Sequence, residues 1–153
     1  ATIENSKNTG NVIGSTNVGG LVGESRGTIT QCRNDGQVSK VAGVICKTVN
    51  LGGIVGKNSE AARLSNSKNY GNVNSETDTL VNLGGICGIL YNNSIVELCE
   101  NNGAISGSGK EIIPNEDTNT NCASCTSNNG GSASTDDFGQ LNIGIIYGKY
   151  QEI

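Results

Sequence analysis

The sequence predicts an all-β fold, a parallel β-helix or β-solenoid of about four to five coils with variable insertions on one edge. Three observations predict it. A six-residue stretch returns as Val18-Gly19-Gly20-Leu21-Val22-Gly23, Leu51-Gly52-Gly53-Ile54-Val55-Gly56 and Leu83-Gly84-Gly85-Ile86-Cys87-Gly88. A second motif is linked to it: Ile3 to Val12, Ile29 to Val38, Leu64 to Val73 and Val96 to Ile105 superimpose, so that Asn8, Asn34, Asn69 and Asn101 coincide, as do Gly10, Gly36, Gly71 and Gly103. The apolar runs are three to five residues long, rich in Val and Ile and bounded by Gly and Asn. That pattern suits short strands and leaves no helical stripe.

The elements follow in chain order as one domain, 1-153, with repeats at about 3-28, 29-63, 64-95 and 96-153. From the first Gly of each Gly-Gly pair to the closing Val or Ile the distances are 19, 21 and 21 residues. From the closing residue to the next pair they are 7, 14, 11 and, for the last, 39. A near-constant coil with insertions at one place is what a stacked solenoid permits, because material added there leaves neighbouring coils undisturbed. The last insertion, about 106-141, carries the sole Pro, Pro114, and ends where Ile143-Gly144-Ile145-Ile146-Tyr147-Gly148 restores a degenerate Gly-Gly strand as one final rung.

Columns of equivalent residues then receive roles. Ile3, Ile29, Leu64 and Val96 form one core column, Leu21, Ile54 and Ile86 another, and Val12, Val38, Val73 and Ile105 a third. Asn8, Asn34, Asn69 and Asn101 are expected at corners, tolerating a left-handed backbone and bonding amide to amide from coil to coil. Gly19, Gly20, Gly52, Gly53, Gly84 and Gly85 are expected to supply turns closed to any residue with a Cβ. Lys7, Arg33 and Lys68, followed by Glu100, make either a basic strip for an acidic polysaccharide or ordinary solvated charges.

Composition excludes several functions. Aromatic residues are 3% of the chain, Gly numbers 23, and Trp and Met are absent, so a conventional oily core is not expected. A net charge of −4 argues against nucleic acid or an anionic membrane surface as partner, and no apolar run reaches the roughly 20 residues of a membrane span. The chain opens at Ala1 with no apolar targeting segment, which reads as a processed or excised chain. With no His there is no Ser-His-Asp or Cys-His arrangement and no imidazole for acid–base work near neutrality. Carboxylates are scattered rather than gathered on one face, no phosphate-binding Gly loop precedes a helix, and no cofactor is expected. Glu116-Asp117 and Asp136-Asp137 lack the spacing of a calcium loop.

Six cysteines allow 15 pairings. Cys32 and Cys99 share a column two coils apart, about 10 Å, too far for a disulfide. Cys87 and Cys99 share a coil and can pair across it, or stay free as small core residues. Cys46, Cys122 and Cys125 lie in insertions, where a local or loop-to-loop disulfide formed in an oxidising compartment is the preferred reading. Cys122-Ala123-Ser124-Cys125 lacks the βαβ setting of a redox site and the second ligand pair of a zinc site.

Each Gly-Gly-Leu-Val-Gly, Gly-Gly-Ile-Val-Gly or Gly-Gly-Ile-Cys-Gly is followed by an apolar residue and then Asn-x-Gly-x-Val or its equivalent. Over about residues 3 to 105 and 143 to 148 this resembles the GLUG-type repeat of bacterial and some protist surface proteins, found beside IgA-peptidase and adhesin domains. The resemblance implies an extracellular, secreted or cell-surface β-solenoid used as a stalk or adhesin, with no catalytic residues in the repeat. The function expected is a non-enzymatic structural or adhesive module whose partners are protein, by self-association through solenoid ends into a filament, or a host or cell-surface glycan. The alternative is a carbohydrate-binding or carbohydrate-active β-helix. An ice-binding solenoid is disfavoured because no Thr-x-Thr array appears. The single sequon, Asn92-Asn93-Ser94, is a candidate glycosylation acceptor in a eukaryotic host.

Overall fold

The structure, a computed structural model, describes residues 1–115 and 122–152. Every strand pairs in parallel with its counterpart one rung away, in four sheets. The first holds Thr2–Glu4, Thr28–Thr30, Arg63–Ser65 and Ile95–Glu97, and the second Lys7–Asn8, Arg33–Asn34, Lys68–Asn69, Glu100–Asn101 and Thr126–Ser127. The third holds Val22–Ser25, Val55–Asn58, Cys87–Tyr91 and Tyr147–Gln151. The fourth, of eight strands, carries the closing residues of each coil and the segments leading into the Gly-Gly pairs. The predicted columns are the observed registers: Ile3 pairs with Ile29, Ile29 with Leu64, and Leu64 with Val96.

Like side chains stacked at strand spacing fill two separate cores. One contains Ile29, Ile54, Leu64, Ile86 and Val96, the other Val38, Leu51, Val73, Leu83 and Ile105. Burying each such side chain contributes about 1.5–3 kcal/mol. A wall divides the cores where strands of the third and fourth sheets lie back to back, and the last Gly of each motif permits that contact. A Cβ on Gly56 would stand 2.5 Å from the Val18 amide nitrogen, and one on Gly148 2.4 Å from that of Leu83.

The corners correct one expectation. The ladder asparagines lie within strands; the left-handed non-glycine residues stand elsewhere, at Ala61 with φ 60° and, in one column, at Asn5, Gln31, Asn66, Leu98 and Ser124, with φ between 50° and 55°. These five are equivalent, each two residues after its coil's first core residue. The Gly-Gly pairs are likewise absent from the left-handed residues, among which the glycines are Gly43 and Gly139. Space, not conformational freedom, demands Gly in the pairs. Leu98 is the misfit of the corner column, 53% exposed at φ 54°. Leu98→Asn is expected to stabilise the chain by about 1 kcal/mol, because Asn enters this backbone region more cheaply, a gain visible as a higher midpoint in urea.

The long insertion is corrected more deeply. It contains strands Ile105–Asn115, Thr126–Ser127 and Gly131–Gly144, and builds a fifth rung. Thr126 and Ser127 pair with Glu100 and Asn101, Ala123 bridges Glu97, and Gly131 to Thr135 lie over Ile105 to Gly109. The chain then crosses itself. After Gly109 it climbs, so that Glu111 to Asn115 lie on the fifth level; after Thr135 it descends, so that Gln140 to Gly144 lie on the fourth, between Glu111 to Asn115 and Leu80 to Gly84. The degenerate Gly-Gly strand is therefore split: Ile143 and Gly144 lie beneath Pro114 and Asn115 of the fifth level, whereas Tyr147–Gln151 is the last strand of the third sheet, as expected.

Motif fit explains why chain order is overruled. Asn142 matches Asn82 and Gly144 matches Gly84, where a Cβ on Gly144 would meet the Tyr147 carbonyl oxygen at 1.9 Å. The segment directly after Gly109 offers Ile113, Pro114 and Asn115 at the corresponding positions. Pro114, which has no amide hydrogen to give, lies on the strand with no further described neighbour above it.

Candidate functional site

The residues singled out by repetition converge on the interior. Asn8 donates from Nδ2 to Asn34 Oδ1, Asn34 to Asn69 and Asn69 to Asn101, each at 2.9 Å, and Asn101 donates to Ser127 Oγ at 3.2 Å. Each of the four also clamps the Gly two residues on, as when Asn34 accepts from the Gly36 amide at 3.2 Å and donates to the Gly36 carbonyl at 2.8 Å. The second Gly of each pair makes room for this ladder: a Cβ on Gly53 would lie 2.3 Å from Asn69 Cγ and 2.2 Å from the Gly85 carbonyl oxygen.

A second ladder escaped the sequence reading. Asn50 donates to Asn17, Asn82 to Asn50 and Asn142 to Asn82, each at 2.8 Å. Its signal was present, since Asn stands two residues before the first motif Gly in Asn17-Val18-Gly19, Asn50-Leu51-Gly52, Asn82-Leu83-Gly84 and Asn142-Ile143-Gly144. Asn58 differs: fully buried, its side-chain amide has no hydrogen-bond partner among the described residues. Asn58→Leu is expected to raise the melting temperature, because it removes an unsatisfied buried amide in favour of the residue that Leu90 supplies one rung away.

The cysteines separate clearly. Cys122 and Cys125 form a disulfide with Cα atoms 5.6 Å apart. By register they take the positions of Val96 and Cys99, so the CxxC is a corner of the fifth rung rather than a loop motif. Cys46, Cys87 and Cys99 are not bridged, correcting those candidates, and Cys32 is also free. Burial pushes the thiols of Cys87 and Cys99 up to about 12, and thiolate is the reactive form. Maleimide is expected to label Cys46, which is half-buried, in the native chain and to reach Cys32, Cys87 and Cys99 only on unfolding, as peptide mapping would show.

The outward strip is neutralised. Asp35 pairs with Lys7 at 3.0 Å and with Arg33 at 2.6 Å, Lys68 pairs with Glu100 at 3.5 Å, and the Arg33 guanidinium lies 4.1 Å from the Tyr70 ring centre. The Arg33 hydrogen bond, with that of Lys7, holds the Asp35 carboxyl below its usual range. A basic strip open to a polyanion is not what the rungs present.

An exposed site does form at the turn between the third and first sheets. Arg26, Lys57, Ser59, Glu60 and Tyr91 line an open cavity of about 360 Å³. Lys57 Nζ stands 5.4 Å from the Tyr91 ring centre and 3.5 Å from Glu24, which also pairs with Arg26 at 3.2 Å. The Ser59 hydroxyl, donating at 2.9 Å, leads in lowering the Glu24 carboxyl below its ordinary value. A carboxylate held ionised in this way is poorly suited to give a proton as a general acid. The sequon turn, Asn92 and Asn93, is exposed on the next rung.

Among the described residues no three His, Cys, Asp or Glu side chains gather as metal ligands would. Asp136 accepts from the Thr77 hydroxyl and from the Asp137 amide; Glu116 and Asp117 lie outside the described residues. No described helix is long and apolar enough to cross a membrane. Comparisons with protein-family models, curated proteins and solved structures gave no match.

Proposed function

We propose that the chain is a non-enzymatic, extracellular structural or adhesive module, the role implied by its resemblance to GLUG-type repeats. One observation carries the reading: the repeated residues serve the scaffold, in ladders, cores and backbone contacts, while the outward positions vary from rung to rung, as in Thr28, Arg63 and Ile95. Repetition therefore specifies a rigid rod, and the surface is left to specify the partner. The disulfide at Cys122 and Cys125 fits an oxidising compartment. Self-association through the solenoid ends belongs to the same reading.

The carbohydrate-binding alternative has its own support in the cavity around Tyr91, where an aromatic ring stands among Lys57, Arg26 and Ser59. The test is immobilised native chain against a glycan array and intact cells, with Tyr91→Ala and Lys57→Ala in parallel. Binding without product release from polysaccharides is expected; cleavage of any of them would overturn the module reading. Glycan binding lost in the Tyr91 variant would select the alternative as the mode of adhesion.

A further inference from the structure

The fourth-rung strand is not placed by sequence order: Gln140 to Gly144 and Glu111 to Asn115 have changed places. Gln140 to Gly144 and Tyr147 to Gln151 lie on Leu80 to Gly84 and on Cys87 to Tyr91, yet they are joined to the fifth rung above them. The contacts that seat the segment come from rungs three and five: Asn142 to Asn82 at 2.8 Å, Leu141 and Tyr147 in the two cores at 0% and 2% exposure, and Glu111 to Asn115 above. The connection back to the fifth rung is different in kind. Gly131 through Phe138 are exposed, and Gly139 turns the chain at φ 87°, where a Cβ would stand 1.9 Å from the Asp78 carbonyl oxygen.

We propose that this segment is an exchangeable strand through which two copies of the chain join, each placing its residues 140–151 in the fourth-rung slot of the other. The closed and exchanged forms share every slot contact and differ at the hinge, residues 136–139. Opening the hinge gives up the tight return at Gly139 and the Thr77 contact to Asp136. When two forms share their interface, concentration and hinge strain decide between them. The inference does not depend on what the outer surface binds.

Leu80 and Gln140 are register partners on adjacent strands, both half-buried, at a spacing a disulfide spans. Chains carrying L80C alone and Q140C alone, each with Cys46→Ser, are mixed, unfolded in acidic denaturant, refolded together at high concentration and oxidised. The expected product is a covalent dimer of one L80C chain with one Q140C chain, absent when the two are refolded separately and then mixed. Absence of that dimer at every concentration, or an equal yield of L80C-to-L80C dimers, overturns the proposal. So do higher oligomers that lack the mixed linkage, which are the signature of rung-on-rung stacking instead.

A second variant keeps the test sharp. Gly139→Ala penalises the closed return but not an extended hinge, so the dimer association constant measured by light scattering is expected to rise about tenfold. A lower melting temperature with no gain in dimer would assign Gly139 a purely structural role and overturn the exchange.

Discussion

Asn69→Leu is expected to cost about 3–5 kcal/mol and to unfold much of the chain at physiological temperature, measured by urea denaturation followed by circular dichroism. The size follows from what one amide does. Asn69 accepts from Asn34, donates to Asn101 and holds both the amide and the carbonyl of Gly71. Its loss leaves polar groups unsatisfied on two neighbouring rungs, each costing about 1–3 kcal/mol when buried. Leu also needs space next to Gly53, where a Cβ on that Gly would already be 2.3 Å from Asn69 Cγ. Asn8→Leu provides the contrast. Asn8 is part-buried on the first rung, with one ladder neighbour rather than two, and its replacement is expected to cost about 1 kcal/mol.

Asp78→Asn is expected to destabilise by about 3–5 kcal/mol, because it leaves Lys40 as an uncompensated buried charge. The pair is 3.0 Å apart, its side chains 1% and 0% exposed, and it ties the insertion after Lys40 to the one before Leu80. Lys40 Nζ also reaches the carbonyls of Val41 and Val44, and both Asp78 oxygens accept from the Cys46 amide at 2.9 Å. Desolvation pushes the Asp78 carboxyl upward, but the hydrogen bonds from Cys46, Lys40 and Thr79 together outweigh it, and the net direction is down. A carboxyl lowered on folding contributes stability that is complete above its unfolded value, about 3.9, and is lost as pH falls through the lower folded value. The stability gap between the native chain and D78N is therefore expected to be widest near neutrality and to narrow in acid. A gap constant from pH 7 down to acid unfolding would exclude an ionised Asp78 from the pair.

The two predictions probe different kinds of legibility. The Asn8, Asn34, Asn69 and Asn101 ladder was readable because identical residues recur at one offset from the core column, and amides repeated at strand spacing bond to one another. Its geometry was misread, since the strand rather than the corner carries it, and the left-handed corner column is Asn5, Gln31, Asn66, Leu98 and Ser124. Asn5, Gln31 and Asn66 carry a carboxamide but Leu98 and Ser124 do not, which is why the column did not announce itself. The Lys40 and Asp78 pair had no signal at all: both lie at the edges of insertions of different length, outside the repeat. The fifth rung was half visible, for Cys122 and Cys125 keep the three-residue spacing of Val96 and Cys99.

By itself the sequence determined the architecture: parallel rungs, the three core columns, an asparagine ladder and the edge that accepts insertions. It did so because a stacked fold makes each residue's environment a copy of its own position one rung away, so repetition in the chain is contact in space. Tertiary structure alone decided which segment fills the fourth rung. There Gln140 to Gln151 takes a place that chain order would give to the residues after Gly109, because Asn142 continues a buried hydrogen-bond ladder and Gly144 fits where no Cβ can stand. Competition between two segments for one slot is settled by contacts, and contacts exist only once the other rungs are in place.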